Sequence, residues 1–262
     1  MRFLVCIKQV VDTSKMEVDP ATGRLNRSKA NSIMNPYDRH ALEEALRLKE
    51  QTGGTVTAMT MGPPQAEAVL LEAISMGADD IYLVTDRAFG GADTLATSYT
   101  LSRAISRLDP FDMIFCGQES IDSNTAQVGP QIAAMLGIPD VSGVTALSLS
   151  GHTAEVTRQM EEASEVLTAE LPLLVTAAPS LNHPRYSSML GLQKKWTMKA
   201  HMMTAAELQT DPKRTGLQGS PTQVKRVRPV TPPKKENLLI QEKTAADSVR
   251  LLVQALQKAQ VL

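Results

Sequence analysis

The feature of the sequence that most constrains the fold is a regular alternation of apolar runs and amphipathic segments. Four apolar runs have the length and composition of buried β-strands, at residues 3–7, 55–61, 81–84 and 113–116. Each is followed by a segment with apolar residues at helical spacing, at residues 36–52, 65–76, 94–108 and 125–136. Four successive strand–helix units predict an α/β fold with a doubly wound, mostly parallel sheet.

The second half of the chain has a different pattern. Short apolar runs at residues 144–149, 154–160, 166–171 and 173–177 have no helical segment between them, which predicts an antiparallel extension of the sheet. Residues 209–236 are rich in Pro, Lys, Arg, Gln and Thr, and they predict an extended arm without a core of its own. A final amphipathic helix follows, with one apolar face formed by Ala246, Val249, Leu252, Val253 and Leu256.

These patterns predict two regions, an α/β domain at residues 1–196 and an arm with a terminal helix at residues 197–262. An apolar helix face on an extended arm needs a surface that buries it. We expect the helix to dock on a partner subunit. The spacing leaves open the alternative that the helix packs against the domain of its own chain.

Charge and composition exclude several classes of function. The chain has 27 basic and 28 acidic residues, and this balance gives no overall attraction to nucleic acid. No stretch approaches the roughly 20 apolar residues that a membrane-spanning helix needs. Two cysteines are too few for a disulfide scaffold or a thiolate zinc site. The composition therefore predicts a cytoplasmic protein with no nucleic-acid partner and no membrane span.

Polar and glycine-rich segments follow the predicted strands at residues 6–9, 61–63 and 116–122. In an open parallel sheet, ligands bind beyond the carboxyl ends of the strands where the winding direction reverses. With four units, we expect that reversal between the first and the fourth strand. The last of these segments leads into a predicted helix start, where free N–H groups favour a phosphate. Asp122 is an acceptor suited to a ribose hydroxyl, and Gln127 suits either phosphate or sugar.

Familiar catalytic motifs are absent from the sequence. It has no P-loop, no G-x-G-x-x-G after a strand and no nucleophile elbow, and its four histidines have no metal-ligand spacing. We therefore predict no catalytic and no metal-binding side chain, so that a bound cofactor would carry the reaction. Cys6 and Cys116 are predicted to lie at neighbouring strand ends as small buried residues.

Several segments together resemble the β subunit of electron transfer flavoproteins, over nearly the whole chain. They are Cys6-Ile7-Lys8-Gln9-Val10, the block Asn35-Pro36-Tyr37-Asp38 with the helix after it, and a region containing Arg158, Glu161, Glu162, Glu165 and residues 172–176. Asn182, Pro184, Arg185 and Tyr186 resemble the segment that leads into the family's partner-recognition loop. The resemblance implies a Rossmann-like sheet of the adenine-nucleotide-hydrolase type.

The resemblance also implies a heterodimer with an α subunit that carries FAD on a mobile domain, while the β subunit holds a second adenine nucleotide. Glu165 matches an acidic residue that tethers the mobile domain, and Met189 falls where the recognition loop has an apolar anchor. The strand-end argument and the resemblance together predict the cofactor-binding residues Cys6, Lys8, Asn35, Pro36, Tyr37, Asp38, Met61, Gly62, Gly117, Gln118, Glu119, Ser120, Ile121, Asp122, Ser123, Asn124, Thr125, Ala126, Gln127, Val128 and Gly129.

The family has two kinds of β subunit. In one the nucleotide is a structural AMP, and in the other it is FAD, which takes a hydride from NADH and divides the electron pair. One electron passes through the α-subunit FAD to an acyl-CoA or 2-hydroxy-acid dehydrogenase, and the other to ferredoxin or flavodoxin. Residues 125–130 resemble the FAD-containing, bifurcating kind, and Lys8 and Asp38 are candidates for tuning the flavin. The alternatives outside the family are an ATP-binding or ATP-cleaving domain and a pure scaffold.

Overall fold

The structure is a computed structural model that describes residues 1–12, 32–223 and 237–261. The chain divides into two compact units, residues 1–223 and residues 224–262. In the second unit the helix Ala245–Lys258 follows Thr244, whose side chain caps it. Residues 224–236 of the predicted arm lie outside the described residues.

The first unit is built on a large sheet with helices on its faces, so the predicted α/β class is confirmed. Its strands along the chain are β1 Arg2–Cys6, β2 Gln9–Val11, β3 Ser32–Met34, β4 Thr55–Met61, β5 Asp80–Val84, β6 Met113–Gly117, β7 Asp140–Ser150, β8 Thr153–Gln159, β9 Ser164–Glu170, β10 Leu173–Ala177 and β11 His201–Met203. Its helices are α1 Pro36–Thr52, α2 Glu67–Met76, α3 Thr94–Ile105, α4 Val128–Leu136, α5 Met189–Lys195 and α6 Ala205–Leu208, and the helix of the second unit is α7.

Within the described residues, nine strands form one sheet in the order β11-β5-β4-β1-β6-β10-β7-β8-β9, and β2 pairs with β3 separately. Strand β1 is parallel to β4 on one side and to β6 on the other. The chain thus winds outward in one direction through β4 and β5 and in the other through β6. The predicted reversal between the first and fourth strands is confirmed.

Alternate side chains of the central strands enter two separate cores. Phe3 and Val5 of β1 pack with residues of α1 and α2 on one face of the sheet. Leu4 and Cys6 pack with residues of α3 and α4 on the other. Helices therefore cover both faces, and this explains why β1 and β6 are continuous apolar runs.

Strand β10 differs from the prediction of an antiparallel meander. Of the four strands in this region, β7, β8 and β9 pair antiparallel, whereas β10 lies between β6 and β7 and is parallel to both. All five residues of β10 are buried, while exposure alternates along β9. A short run buried on both faces is typical of a central parallel strand, and this distinguishes β10 from its neighbours in sequence.

Residues 197–223 also differ from the prediction, which placed them in the arm. Strand β11 pairs with β5 and extends the sheet at its edge. Leu208 is 0% exposed and belongs to the core beside α3. Asp93 accepts hydrogen bonds from the amide and hydroxyl of Thr222, which fixes the chain there. The boundary between units therefore lies after Gln223 and not after Trp196, because these residues bury apolar surface in the first unit.

None of the described helices is long and apolar enough to cross a membrane.

The burial of Leu208 gives a direct test of this boundary. Leu208→Ala should lower the free energy of unfolding by about 2–4 kcal/mol, because it leaves a cavity in a closed core. Leu190→Ala is the matched control, since Leu190 is exposed, and its effect should stay within about 0.5 kcal/mol. Chemical denaturation of the full chain measures both. Equal effects of the two substitutions would contradict the packing of residues 205–208 on the first unit.

Candidate functional site

The first turn of α1 joins the ends of β1 and β6, where the winding of the sheet reverses. Asp38 Oδ2 accepts a hydrogen bond from the Lys8 amide at 2.7 Å, and Oδ1 accepts one from the Gly117 amide at 3.0 Å. The Asn35 amide donates to the Lys8 carbonyl at 2.9 Å. Backbone from two strands is thereby attached to one helix terminus.

Asn35 is the N-cap residue of α1, but its side chain does not cap the helix. Its Nδ2 donates to the Glu119 carbonyl at 2.8 Å, and its Oδ1 accepts from the Ile121 amide at 3.3 Å. Pro36 supplies the first helical position, where a missing N–H costs nothing. The side chain of a 1% exposed asparagine therefore holds the loop that follows β6.

Asp38 is the buried ionisable group at the base of this arrangement. Burial raises its pKa from the ordinary value to about 7, because a carboxylate loses its solvation there. Hydrogen bonds from Asn35 and from the backbone of Lys8 and Gly117 oppose that rise, as does the positive charge of Lys8. Both protonation states of Asp38 are consequently populated near neutral pH.

The loop between β6 and α4 has a charged rim. Lys8 Nζ donates to Asp122 Oδ1 at 2.7 Å and to Ser120 Oγ at 3.3 Å. Desolvation raises the pKa of Asp122, but the hydrogen bonds from Lys8 and Ser120 outweigh it, so the pKa lies below the ordinary value. Asp122 is therefore an ionised acceptor at the surface at neutral pH.

Glu119 connects two further residues of the predicted site. Its Oε1 accepts from the Tyr37 hydroxyl at 2.9 Å and from Asn124 Nδ2 at 3.3 Å. The hydrogen bond to Glu119 is the main reason why the pKa of Tyr37 is raised. A carboxylate thus connects the first turn of α1 to the middle of the loop.

The end of this loop is exposed and has an uncommon backbone conformation. Residues 122–127 are exposed, and Asn124 and Ala126 have φ values of 51° and 53°. The left-handed conformation costs an alanine roughly 1–2 kcal/mol, and it prevents the helix from starting at the predicted position, Thr125. Helix α4 starts instead at Val128, and Gln127 at its N-cap makes no side-chain capping bond. Gln127 Oε1 accepts from the Thr94 hydroxyl at 3.0 Å.

Close packing at two glycines keeps the elements of the site together. A Cβ on Gly117 would lie 2.3 Å from Asp38 Oδ1 and 2.8 Å from the Asp38 amide nitrogen. A Cβ on Gly129 would lie 2.6 Å from Thr176 Cγ2. Any residue with a Cβ would clash at these two positions, so only glycine lets α1 and α4 approach the strand ends this closely.

The remaining predicted residues lie around this centre. Cys6 and Cys116 face each other across β1 and β6, and both are free and buried, as predicted. The neighbouring Cys6 thiol, together with burial, raises the pKa of Cys116. Met61 is the last residue of β4, the strand next to β1, and Gly62 follows it. The Gly62 amide donates to the Val84 carbonyl at 3.1 Å.

The two predicted partner-contact residues lie on other elements. Glu165 is on the edge strand β9, and its Oε2 accepts from Arg158 Nε at 2.8 Å. Met189 begins α5 and is 82% exposed. The segment before α5 is attached to α1, since Arg185 forms ion pairs with Glu43 and Glu50.

Two residues that shape the site were not predicted. Thr94 contacts Gln127 from the start of α3, and Thr176 of β10 lies against Gly129 and accepts from the Gly143 amide at 3.0 Å. Thr94 stands in no motif, and Thr176 ends the family-like segment 172–176, for which no role in the site was predicted. Only the position of β10 beside β6, which the prediction missed, could have indicated Thr176.

Comparison with known proteins identifies the family of the chain. Residues 22–210 match the family model described as the electron transfer flavoprotein domain. The chain belongs to this family. It is 48% identical over 225 residues to the electron transfer flavoprotein subunit beta of Thermoanaerobacterium thermosaccharolyticum, with 86% of each chain covered. The resemblance to the β subunit is thus confirmed.

Two other relatives have names that mention larger assemblies. Subunit CarD of the caffeyl-CoA reductase-Etf complex of Acetobacterium woodii is 45% identical, over 90% of this chain and 89% of its own. The acryloyl-CoA reductase electron transfer subunit gamma of Anaerotignum propionicum is 42% identical over the full length of both chains.

The packing at Gly117 can be tested by unfolding. Gly117→Ala should lower the free energy of unfolding by about 1–3 kcal/mol, because the new methyl group meets backbone of α1 and pushes it from β6. Gly90→Ala is the control, since Gly90 has an ordinary φ of −64° and an added Cβ would meet only the Arg87 carbonyl oxygen, at 3.3 Å. A loss for Gly117→Ala no larger than that for Gly90→Ala would show that α1 can move away from β6 freely.

Proposed function

We propose that this chain is the β subunit of a heterodimeric electron transfer flavoprotein and binds FAD at the ends of β1 and β6, as part of a bifurcating complex. The observation that carries the proposal is the exposed loop 122–127, which precedes the uncapped N-terminus of α4 beside those strand ends. Open α/β sheets bind their ligands beyond the carboxyl ends of the strands at such a switch point.

The residues present fit a diphosphate-bearing adenine compound. The first turn of α4 makes no side-chain capping bond at Gln127, and Gly129 lets the helix lie close to β10. Free amides at the positive end of a helix bind phosphate oxygens. Lys8 contributes a cation at the rim, and the ionised Asp122 is an acceptor for a ribose hydroxyl.

The chain's own residues bind and orient the cofactor in this proposal. When bound, FAD would supply hydride acceptance from NADH and release of single electrons, which no side chain can provide. Asp122 and Gln127 hold the sugar and phosphate end, and Lys8 balances the negative charge there. Tyr37, Glu119 and Asn124 keep the middle of the loop in place through their shared hydrogen bonds.

The names of the relatives support the choice of electron acceptor. CarD is named as a subunit of a caffeyl-CoA reductase-Etf complex, and the Anaerotignum propionicum relative as an electron transfer subunit of acryloyl-CoA reductase. We therefore favour a dehydrogenase or reductase of acyl-CoA substrates over a 2-hydroxy-acid dehydrogenase. Ferredoxin or flavodoxin is the proposed low-potential acceptor, and the cytoplasm the proposed location.

Counting the cofactors tests this proposal. The complex purified with its α subunit should contain two FAD per heterodimer, measured by denaturing extraction and chromatography. Asp122→Ala should lower the retained β-site nucleotide several-fold, because a ribose hydroxyl loses its acceptor. Asp109→Ala is the matched control, an exposed aspartate that forms an ion pair with Arg2 away from the site. One FAD and one AMP would refute bifurcation, and a complex without a second nucleotide would refute the site.

The second unit and two further residues are proposed to contact partners. Leu238, Leu239, Val249 and Leu252 are exposed, so residues 237–261 present apolar surface that a partner can bury. We propose that this surface docks on the α subunit. Glu165, oriented by Arg158, is the proposed tether of the mobile flavin domain, and Met189 the proposed anchor for the dehydrogenase.

Shortening the chain tests this docking. A chain that ends after Lys234 should lose most of its association with the α subunit, because it lacks α7, while circular dichroism should show the first unit folded. Leu252→Asp in the full chain should weaken association in the same direction, since it places a charge in an apolar interface. Gln254→Asp is the matched control, since Gln254 lies on the side of α7 away from Val249, Leu252 and Leu256. A truncated chain that still forms a full heterodimer would contradict the proposal.

A further inference from the structure

We propose that Asp38 is the positioning residue of the nucleotide site, because its carboxylate ties the end of β1 to the end of β6. This inference rests on the proposed nucleotide site. It differs from the direct contact that the family resemblance implies for this residue. Asp38 acts through the backbone of the two loops and does not touch the ligand.

The contacts of Asp38 support this role. Its two oxygens accept separately from the Lys8 amide at 2.7 Å and the Gly117 amide at 3.0 Å. Each amide lies where its strand ends and its loop begins. Asp38 itself is 5% exposed, and its oxygens point to backbone and not to solvent. The distance between the two loops is therefore set by the span of one carboxylate.

A carboxylate suits this position better than an amide does. Two amides that converge on one side chain need two acceptor oxygens, which an ionised Asp supplies. Asparagine, like a protonated Asp, offers a single full acceptor and presents a donor to the other amide. Gly117 has no room for a side chain that could compensate, because a Cβ would lie 2.3 Å from Asp38 Oδ1. Loss of the ionised form thus leaves one strand end unbonded.

Within residues 1–12, 32–223 and 237–261, few ionisable groups lie around Asp38. Lys8 lies on the segment after β1, and Cys6 and Cys116 on β1 and β6, where Asp38 contributes to the raised pKa of Cys116. Glu119 lies on the loop after β6 and contacts Tyr37 of α1. Strands β4 and β10, which also pack against α1, carry no ionisable side chain. With burial raising the pKa of Asp38 to about 7, the double acceptor forms as the pH rises through neutrality.

A purely electrostatic role for Asp38 predicts the opposite change of nucleotide affinity with pH. A negative charge beneath a diphosphate repels it, so ionisation above neutral pH would weaken binding and Asp38→Asn would strengthen it. In the positioning role, ionisation completes the bonds to both strand ends and strengthens binding. The direction in which nucleotide affinity changes with pH therefore distinguishes the electrostatic role from the positioning role.

The experiment measures the dissociation constants of FAD and of AMP for the complex with its α subunit, at about pH 6 and about pH 8. The wild-type complex should bind more tightly at the higher pH, and Asp38→Asn should remove that dependence. At about pH 8 the variant should bind on the order of tenfold more weakly, the cost of one lost buried hydrogen bond. Glu43→Gln is the matched control, a buried carboxylate on the same helix that pairs with Arg185 instead.

Equal or tighter binding by Asp38→Asn at about pH 8, or wild-type binding that weakens as the pH rises, would overturn the proposal. The wild-type profile needs no variant, so it tests the proposal even if Asp38→Asn folds poorly. Amide hydrogen exchange gives a readout without a ligand: Asp38→Asn should speed exchange in peptides covering Lys8 and residues 117–127 but not in those of β8 and β9. Unchanged exchange there would refute the positioning role. A wild-type complex without nucleotide affinity would instead refute the site itself.

Discussion

The parallel pairing of β1 with both β4 and β6 is the constraint on which the other features of the first unit depend. The chain winds from β1 through β4 and β5 on one side and then returns to β6 on the other side of β1, so its crossover helices pack on opposite faces of the sheet. The carboxyl ends of β1 and β6 lie at the point where the winding reverses. Residues distant in sequence meet at this edge. The first turn of α1 is hydrogen-bonded to both strand ends, so the spacing between the loops after β1 and β6 is fixed by this helix.

Much of this arrangement could be predicted from the sequence because it depends on local rules. Continuous apolar runs indicated β1, β4 and β6, and Gly53, with a φ of 68°, marked the end of α1. The position of β10 could not be predicted in the same way. Its place between β6 and β7 depends on pairing between distant segments, which periodicity within one run does not encode. The same holds for residues 197–223, since β11 pairs with the distant strand β5 and Leu208 is buried beside α3.

For the site, the sequence indicated which residues meet but not what each side chain does there. Asn35 and Asp38 were predicted as contacts, and the structure turns both side chains toward backbone. Asparagine is a common N-cap residue, yet the side chain of Asn35 forms hydrogen bonds with the backbone of Glu119 and Ile121 and does not cap α1. The direction of a side chain depends on which loop approaches the helix end. That is a property of the assembled sheet, so no motif could have supplied it.

Helix α1 has a second attachment in its middle and C-terminal part, where Glu43 and Glu50 pair with Arg185 of the segment before α5. The 17 residues of α1 span about 25 Å at the ordinary helical rise. One helix thus fixes the spacing between the strand ends held by Asp38 and the segment held by Glu43 and Glu50. An insertion or deletion between Asp38 and Glu43 would rotate these two attachments by about 100° per residue relative to each other, so the length of this part of α1 cannot change without breaking one of them.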